Sequence, residues 1–370
     1  MDFIPVNEPL FDGNEKKYLM DCIDTGWISS AGEYVTKLEK GVASYVGRGG
    51  GVSVCNGTAA LEVAVDALQL PKGAEVILPA FTIVSCANAV IKAGLKPVLV
   101  DADPDTWNMD VSQIEAKITD KTKAIMAVHI YGLPVDMKPL LDIAKEHNLY
   151  VIEDAAEAIG VTCYEKQCGS FGDVSAMSFF ANKHITTGEG GMVLADDEKI
   201  LERAGQLKNL FFDKERRYIH EEIGSNFRMT NIQAAIGYAQ LEKLDEHMRI
   251  KRCIGEKYNS LLGENDKFML PVDKTDYAEN KYWIYGLVIC GDVDKDADYA
   301  MARLKEMGVG TRHFFYPLHL QPAYTKLGLF EGESYPVAER LAKKGFYIPA
   351  GMGITDEQIE RVAKCVGEIF

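Results

Sequence analysis

From about residue 51 the chain alternates short apolar runs with longer stretches whose apolar residues recur at helical spacing. VSVC (52–55) is compact and β-branched, as a strand is. TAALEVAVDALQL (58–70) repeats its apolar residues every third or fourth position, and PKG then stops it. EVILP is the next strand, and SCANAVIKAG the next helix, ending on Gly94. KPVLVDA, VSQIEAKI, TKAIMAVHI, MKPLLDIAKEHN and LYVIEDA continue the alternation, with VSQIEAKI expected as a helix. Strands that read as unbroken apolar runs are buried on both faces, which suits a mostly parallel sheet covered by helices.

Past residue 170 the rhythm changes. SAMSFF and EGGMVLA follow each other with no helix between them, and 231–262 reads as one long helical stretch. YWIYGLVIC, a helix near 296–307, GVGTRHFF and a last helix near 355–369 predict a smaller α+β unit. The expected organisation is a large α/β domain over 1–245 and a small C-terminal α+β domain over 246–370, divided inside or beside the long helix.

Composition narrows the function classes. Of 370 residues, 47% are apolar, enough for a large core. The formal charge of −15 argues against general binding to nucleic acid or anionic membranes. A phosphorylated ligand would therefore be met by local donors. The first residues, MDFIPVNEPLF, lack the basic and apolar segments of a secretory signal, and no stretch approaches the ~18 apolar residues of a membrane span. A cytoplasmic protein is expected. The eight cysteines form no CxxC pair. Cys163 and Cys168 have no second Cys/His pair at zinc-finger spacing, so free thiols and no metal site are expected.

In open parallel sheets ligands bind beyond the carboxyl ends of the strands. The polar residues there are Asn56, Thr58, Thr82, His129 and Asp154. A nicotinamide-binding GxGxxG is absent: the glycines at 47–51 precede a strand, and GEGG (188–191) lacks the spacing and the helix. Three elements carry chemistry. In SFFANKHITTGEGG (178–191), Lys183 follows a buried-looking strand and precedes a Thr/Gly-rich turn, where a lysine could reach a cofactor carbonyl with its pKa lowered. Ser178 lies upstream, where its hydroxyl could bind a phosphate. In VIEDAAEAIG (151–160), Asp154 ends a strand, either as the N-cap of a helix beginning at 155 or as a buried carboxylate facing a cationic ring nitrogen. In CNGTAAL (55–61), a strand, then Asn-Gly-Thr, then a helix start forms either an anion cradle or a plain capped helix.

Together these elements resemble the DegT/DnrJ/EryC1/StrS family of nucleotide-sugar aminotransferases, which are fold-type I pyridoxal-phosphate (PLP) enzymes. The resemblance runs from DGNEKKY (12–18) and WISSAGEYV (27–35) through NGTAAL, DADPDTWNMD, AIMAVHIYG, EDAAEAIG and NKHITTGEGGM. It continues through GSNFRMTNIQAAIGYAQLE (224–242) to TRHFFYPLHLQPAY (311–324). It implies a fold-type I transferase, with a mostly parallel central sheet, flanking helices and a smaller C-terminal α+β domain. Lys183 would carry PLP as a Schiff base, and Asp154 would pair with the ring nitrogen. Ser178, Gly57, Thr58 and the preceding Asn56 would hold the phosphate, and Glu157 would approach the ring's 3′ oxygen or the sugar. Ile83 stands where relatives often stack an aromatic residue on the ring. Asn226, in GSN where relatives often read GYN, would reach the phosphate of a neighbouring subunit in a homodimer or a tetramer. Trp27, Ser29, His129, Arg228, Arg312 and His319 would line the sugar-nucleotide side.

The implied reaction moves an amino group from glutamate to C4 of a nucleotide-linked 4-keto-6-deoxy sugar, with pyridoxamine phosphate (PMP) as the intermediate cofactor form. WISS, EDAAEA and ITTGEGG point to GDP-4-keto-6-deoxymannose, and UDP- or dTDP-4-keto-6-deoxyglucose are the competitors. Two other readings stay open. One is a PMP-dependent sugar 3-dehydratase, in which His replaces the lysine, and His184 is adjacent to Lys183. The other is a non-catalytic PLP-binding regulatory protein.

Overall fold

The computed structural model describes residues 2–213, 215, 216, 218–291 and 294–370. A seven-stranded sheet runs in the order Gly50–Val54, Gly191–Ala195, Val174–Ser178, Tyr150–Asp154, Thr122–Val128, Glu75–Pro79, Lys96–Val100. Gly191–Ala195 is antiparallel to both of its neighbours, and every other pairing is parallel. That single reversal accounts for the two strands read without a helix between them. The chain leaves the sheet at Ser178, loops over its carboxyl edge carrying Lys183, and returns along 191–195. The strands Glu75–Pro79, Val174–Ser178 and Gly191–Ala195 are buried at every residue, hence their unbroken apolar runs.

A second sheet, Phe268–Met269, Tyr285–Ile289, Gly345–Ile348 and Arg312–His313, is antiparallel throughout. It shares an apolar core with the helices Leu244–Leu262, Ala297–Glu306 and Asp356–Gly367. The stretch expected as one helix is two, Asn231–Leu241 and Leu244–Leu262. The first packs on helices Glu15–Thr25 and Glu33–Val46, and the second on Asp356–Gly367. At the junction the Glu242 carboxylate takes hydrogen bonds from Asn14 and Tyr18. The two sheets fall on either side of this break, but the cores do not divide there cleanly. Ile4 bridges to Val309 and packs with the second sheet, whereas Leu318, Tyr324, Tyr335 and Leu341 pack with the first.

VSQIEAKI is not a helix but two short 3₁₀ turns, Val111–Gln113 and Glu115–Lys117. Asp110 accepts from both the N–H and the hydroxyl of Ser112, and the Gln113 amide also reaches Asp110. Side chains that bond the backbone this closely compete with a continuing helix.

Beneath the carboxyl edge of the sheet, Glu153 is fully buried. It accepts from the N–H groups of Gly169, Phe171 and Gly172 and from the Ser175 hydroxyl, and it lies 2.9 Å from His129 Nε2. Burial alone would raise its pKa, but His129 and these N–H donors outweigh burial and hold it below the usual carboxylate value. A carboxylate whose folded pKa is depressed contributes stability that is fully present above the unfolded value of about 4.3. That contribution is lost as pH falls through the folded value. Glu153→Ala, which leaves these donors buried and unpaired, should lower unfolding free energy at pH 7 by about 3 kcal/mol in chemical denaturation. The difference from wild type should shrink as the pH is taken below 4.

Candidate active site

Asn56 caps the helix Gly57–Ala67 from an extended backbone, its side chain accepting from Ala59 N–H at 2.8 Å. That leaves the N–H groups of Gly57 and Thr58 without a partner among the described residues, at the positive end of a helix dipole. The end of strand Val174–Ser178 comes against this turn. A Cβ on Gly57 would lie 2.8 Å from Ser178 Cβ and 3.0 Å from its Oγ, so only glycine permits the approach. Thr58 Oγ1 and Ser85 Oγ are 2.8 Å apart. The result is a concave set of backbone N–H groups and hydroxyls suited to a phosphate.

This cradle forms one end of a cleft of about 460 Å³. Asn56, Gly57, Thr58, Thr82, Ile83, Asp154, Glu157, Ser178, Lys183 and Arg312 all line it, and they come from widely separated parts of the chain.

No helix follows Asp154. Residues 155–160 form turns, so the N-cap reading of Asp154 is set aside. The carboxylate is 2% exposed, with Oδ1 accepting from Ala156 N–H at 3.0 Å and Oδ2 from the Cys86 thiol at 3.2 Å. Burial raises its pKa, and no cation hydrogen-bonds to it among the described residues. Such a carboxylate calls for a cationic N–H group. Glu157 is also buried. Its Oε2 accepts from Tyr131 N–H at 2.9 Å, its Oε1 lies 3.4 Å from Lys183 Nζ, and burial pushes its pKa up to about 7. Lys183 is held below the usual lysine value by burial, against the pull of Glu157 and Asp154. A phosphate cradle, a buried carboxylate without a cation and a buried amine in one cleft fit a pyridoxal phosphate. Half-exposed Ile83 gives the same cleft an apolar wall.

His184 points away from this cleft, into the protein. It is buried, neither ring nitrogen has a partner among the described residues, and its carbonyl accepts from His247. Lys183, not His184, therefore faces the cofactor position.

Two expected substrate residues, His129 and His319, are buried away from the cleft. His129 is fully buried, with Nε2 against Glu153 and Nδ1 accepting from Val135 N–H, which leaves no ring atom for a sugar. His319 is buried with Nε2 3.0 Å from Glu339 and its ring edge-on to Tyr335. Trp27, Ser29 and Asn226 are exposed and lie outside the cleft of their own chain. Arg228 donates to Asn226 Oδ1 at 2.7 Å on the flank of strand Gly50–Val54. Sequence reasoning missed Trp283, Asn182, Phe180 and Phe315, which also line the cleft. Their loop positions carry no periodic signal.

The model of the DegT/DnrJ/EryC1/StrS aminotransferase family matches residues 9–367. The chain belongs to this family. It is 40% identical to the GDP-perosamine synthase of Vibrio cholerae over 99% of both chains. It is also 40% identical to that of Caulobacter vibrioides, over 99% of this chain and 98% of the relative. Among solved structures, the Streptococcus pneumoniae protein Spr1654 in its PLP form is 25% identical with a TM-score of 0.91, covering 100% of each chain. Family membership makes this chain a PLP-dependent transaminase, in keeping with the donor set of the cleft. Gly57→Ala should leave the fold intact by circular dichroism. By displacing the cradle from Ser178, it should weaken PLP binding about tenfold in a spectrophotometric titration, the equivalent of one charge-assisted hydrogen bond.

Proposed function

We propose that this protein transfers the amino group of glutamate to C4 of GDP-4-keto-6-deoxymannose, releasing 2-oxoglutarate and GDP-perosamine. In this reading it acts in the cytoplasm as a homodimer, alone or paired into a tetramer, with Asn226 of each copy completing the phosphate side of the other's cleft. The observation that carries the proposal is the convergence of Lys183, Asp154 and the Gly57–Thr58–Ser178 cradle on one cleft. The choice of sugar rests on the 40% identity to GDP-perosamine synthases over nearly the whole chain.

Bound PLP supplies an electron sink and carries the amine between the two substrates. The chain's residues do the rest. Gly57, Thr58 and Ser178 anchor the phosphate. Ionised Asp154 holds the proton on the ring nitrogen, an arrangement in which the cation offsets the burial that otherwise raises its pKa. Lys183, once free, is an amine with its pKa lowered by burial. Its Nζ takes the proton from Cα of glutamate, and in the second half-reaction it delivers a proton to C4 of the sugar. Glu157, beside that amine, can share its proton. Arg312, exposed at the cleft mouth, is placed for an anionic diphosphate.

The 3-dehydratase reading needs a histidine where Lys183 stands, and His184 is turned into the core, so amino transfer is favoured.

Lys183→Ala should still bind PMP but lose turnover; wild-type rates in that variant would refute the assignment. Asp154→Asn should keep the fold and slow turnover by about a hundredfold or more. The sugar is settled by assaying GDP-, UDP- and dTDP-4-keto-6-deoxy sugars with glutamate and following products by mass. Only the GDP-mannose derivative should give an amino sugar at an appreciable rate, and preference for a UDP or dTDP substrate would reassign the enzyme.

A further inference from the structure

Trp283 lies just ahead of strand Tyr285–Ile289 in the second sheet, yet its indole lines the cleft formed largely by the first. Its ring centroid is 3.4 Å from Lys183 Nζ. The indole is fixed on several sides. Nε1–H donates to the carbonyl of Asn182, the residue before Lys183, at 2.8 Å. The Trp283 carbonyl accepts at 2.9 Å from Lys251, which is buried and spends a second N–H on the Ala350 carbonyl. On the backbone side, a Cβ on Gly132 would come within 2.5 Å of Trp283 N, and Gly132 itself has φ +98. Tyr282, immediately before, is held at φ 50. A tryptophan that only filled the core would need none of this alignment with an amine.

We infer that Trp283 is a positioning residue for Lys183: its indole face is the seat on which the free ε-amine rests while detached from the cofactor, and it favours the ammonium form there. The alternative seat, a tight ion pair with a carboxylate, is not what the geometry offers. Lys183 stands 3.4 Å from Glu157, longer than the 2.7–2.9 Å of a strong charge-assisted bond, and makes no hydrogen bond to Asp154. A π-face holds an ammonium in place without capturing its proton. The other titratable and charged groups near Lys183 are Asp154, Glu157, Glu189 and Arg312 around the cleft, with Glu8, His184 and Lys251 behind it. All of them stay in place when only the indole is changed.

This inference rests on Lys183 being the cofactor's anchor, and its test is separable from that reading. PLP is added to the apo protein and its covalent capture followed by absorbance across pH. The unprotonated Lys183 amine adds to the aldehyde carbon and a water is released, so the capture rate climbs as Lys183 loses its proton. Trp283→Leu removes the partner of the ammonium, and the midpoint of the profile should fall by about one pH unit. Trp283→Phe, which restores an aromatic face, should bring it most of the way back. A shape-preserving control replaces the chain's three tryptophans with trifluorotryptophan, which drains the π-face. The midpoint should move in the same direction with or without Trp27→Phe, because Trp107 does not line the cleft and Trp27 lies outside that of its own chain. A midpoint unchanged in both Trp283→Leu and the fluorinated protein, even with lowered thermal stability, would make Trp283 a packing residue and overturn the inference. If Lys183→Ala still captures PLP covalently, the anchor assignment has failed instead.

Discussion

The site depends on an imbalance of buried charge at the carboxyl edge of the sheet. Asp154 and Glu157 are both buried there, and the buried cation beside them is Lys183, with exposed Arg312 also lining the cleft. Burial raises the pKa of each carboxyl group and lowers that of the amine. The protein alone leaves this cluster short of positive charge. In the proposed role of Asp154, a protonated ring nitrogen would supply what is missing. The phosphate cradle lines the same cleft, so local donors, not the strongly acidic chain as a whole, would meet a phosphate there.

The neighbouring carboxylates Glu153 and Asp154 show how the strand separates two tasks. Successive side chains on a strand point to opposite faces. Glu153 therefore enters the structural side and is saturated by the 169–172 loop, Ser175 and His129. Asp154 enters the cleft with one N–H and a thiol on its oxygens among the described residues. The saturated carboxylate has its pKa lowered and the under-satisfied one has it raised, one residue apart. His129, Glu153 and Cys168 bring ligand-type atoms close together, but Glu153 has already committed its oxygens, and the cluster reads as a buried brace beneath Asp154.

The parts of the fold legible in the sequence are those where one period dominates. The unbroken apolar strands and the helices Gly57–Ala67, Val84–Lys92 and Met137–Glu146 announce themselves by spacing. Helices Glu15–Thr25 and Glu33–Val46 were met only as motifs, since their faces carry many charged residues. VSQIEAKI misled because its apolar spacing is helical while its polar side chains bind the local backbone. Asp154 and the Asn56–Thr58 turn are legible as strand ends and a helix start, which mark ligand positions in parallel sheets, whereas Lys183 and Ser178 take their expected roles from the family resemblance. His129 also ends a strand, and the same logic placed it in the site. What the logic lacks is the facing direction of a side chain, which depends on a partner 24 residues away. Trp283 escaped for the converse reason. Its relation to Lys183 spans 100 residues and two sheets, and no local pattern encodes it.

The residues expected to serve the sugar but placed outside their own cleft share a physical setting. Trp27 and Ser29 lie on a segment pinned by one buried residue, Asn231. Its side chain donates to the Trp27 carbonyl and accepts from Tyr34 N–H, and its own N–H donates to the Ser29 carbonyl. Gly32 packs so tightly on Asn231 that a Cβ there would lie 2.2 Å from its side chain. Such fixing is costly to maintain for a segment with no task, yet Trp27 is 59% exposed and Ile23, Ile28 and Met20 around it are also exposed. A rigid backbone that presents aromatic and aliphatic side chains to solvent suits a surface completed by a second copy. The same holds for exposed Asn226, held by Arg228 on the flank of the first strand and outside the cleft of its own chain. In the proposed homodimer the cleft of one chain would contain the chemistry, and these groups would be held ready on the outside of its neighbour.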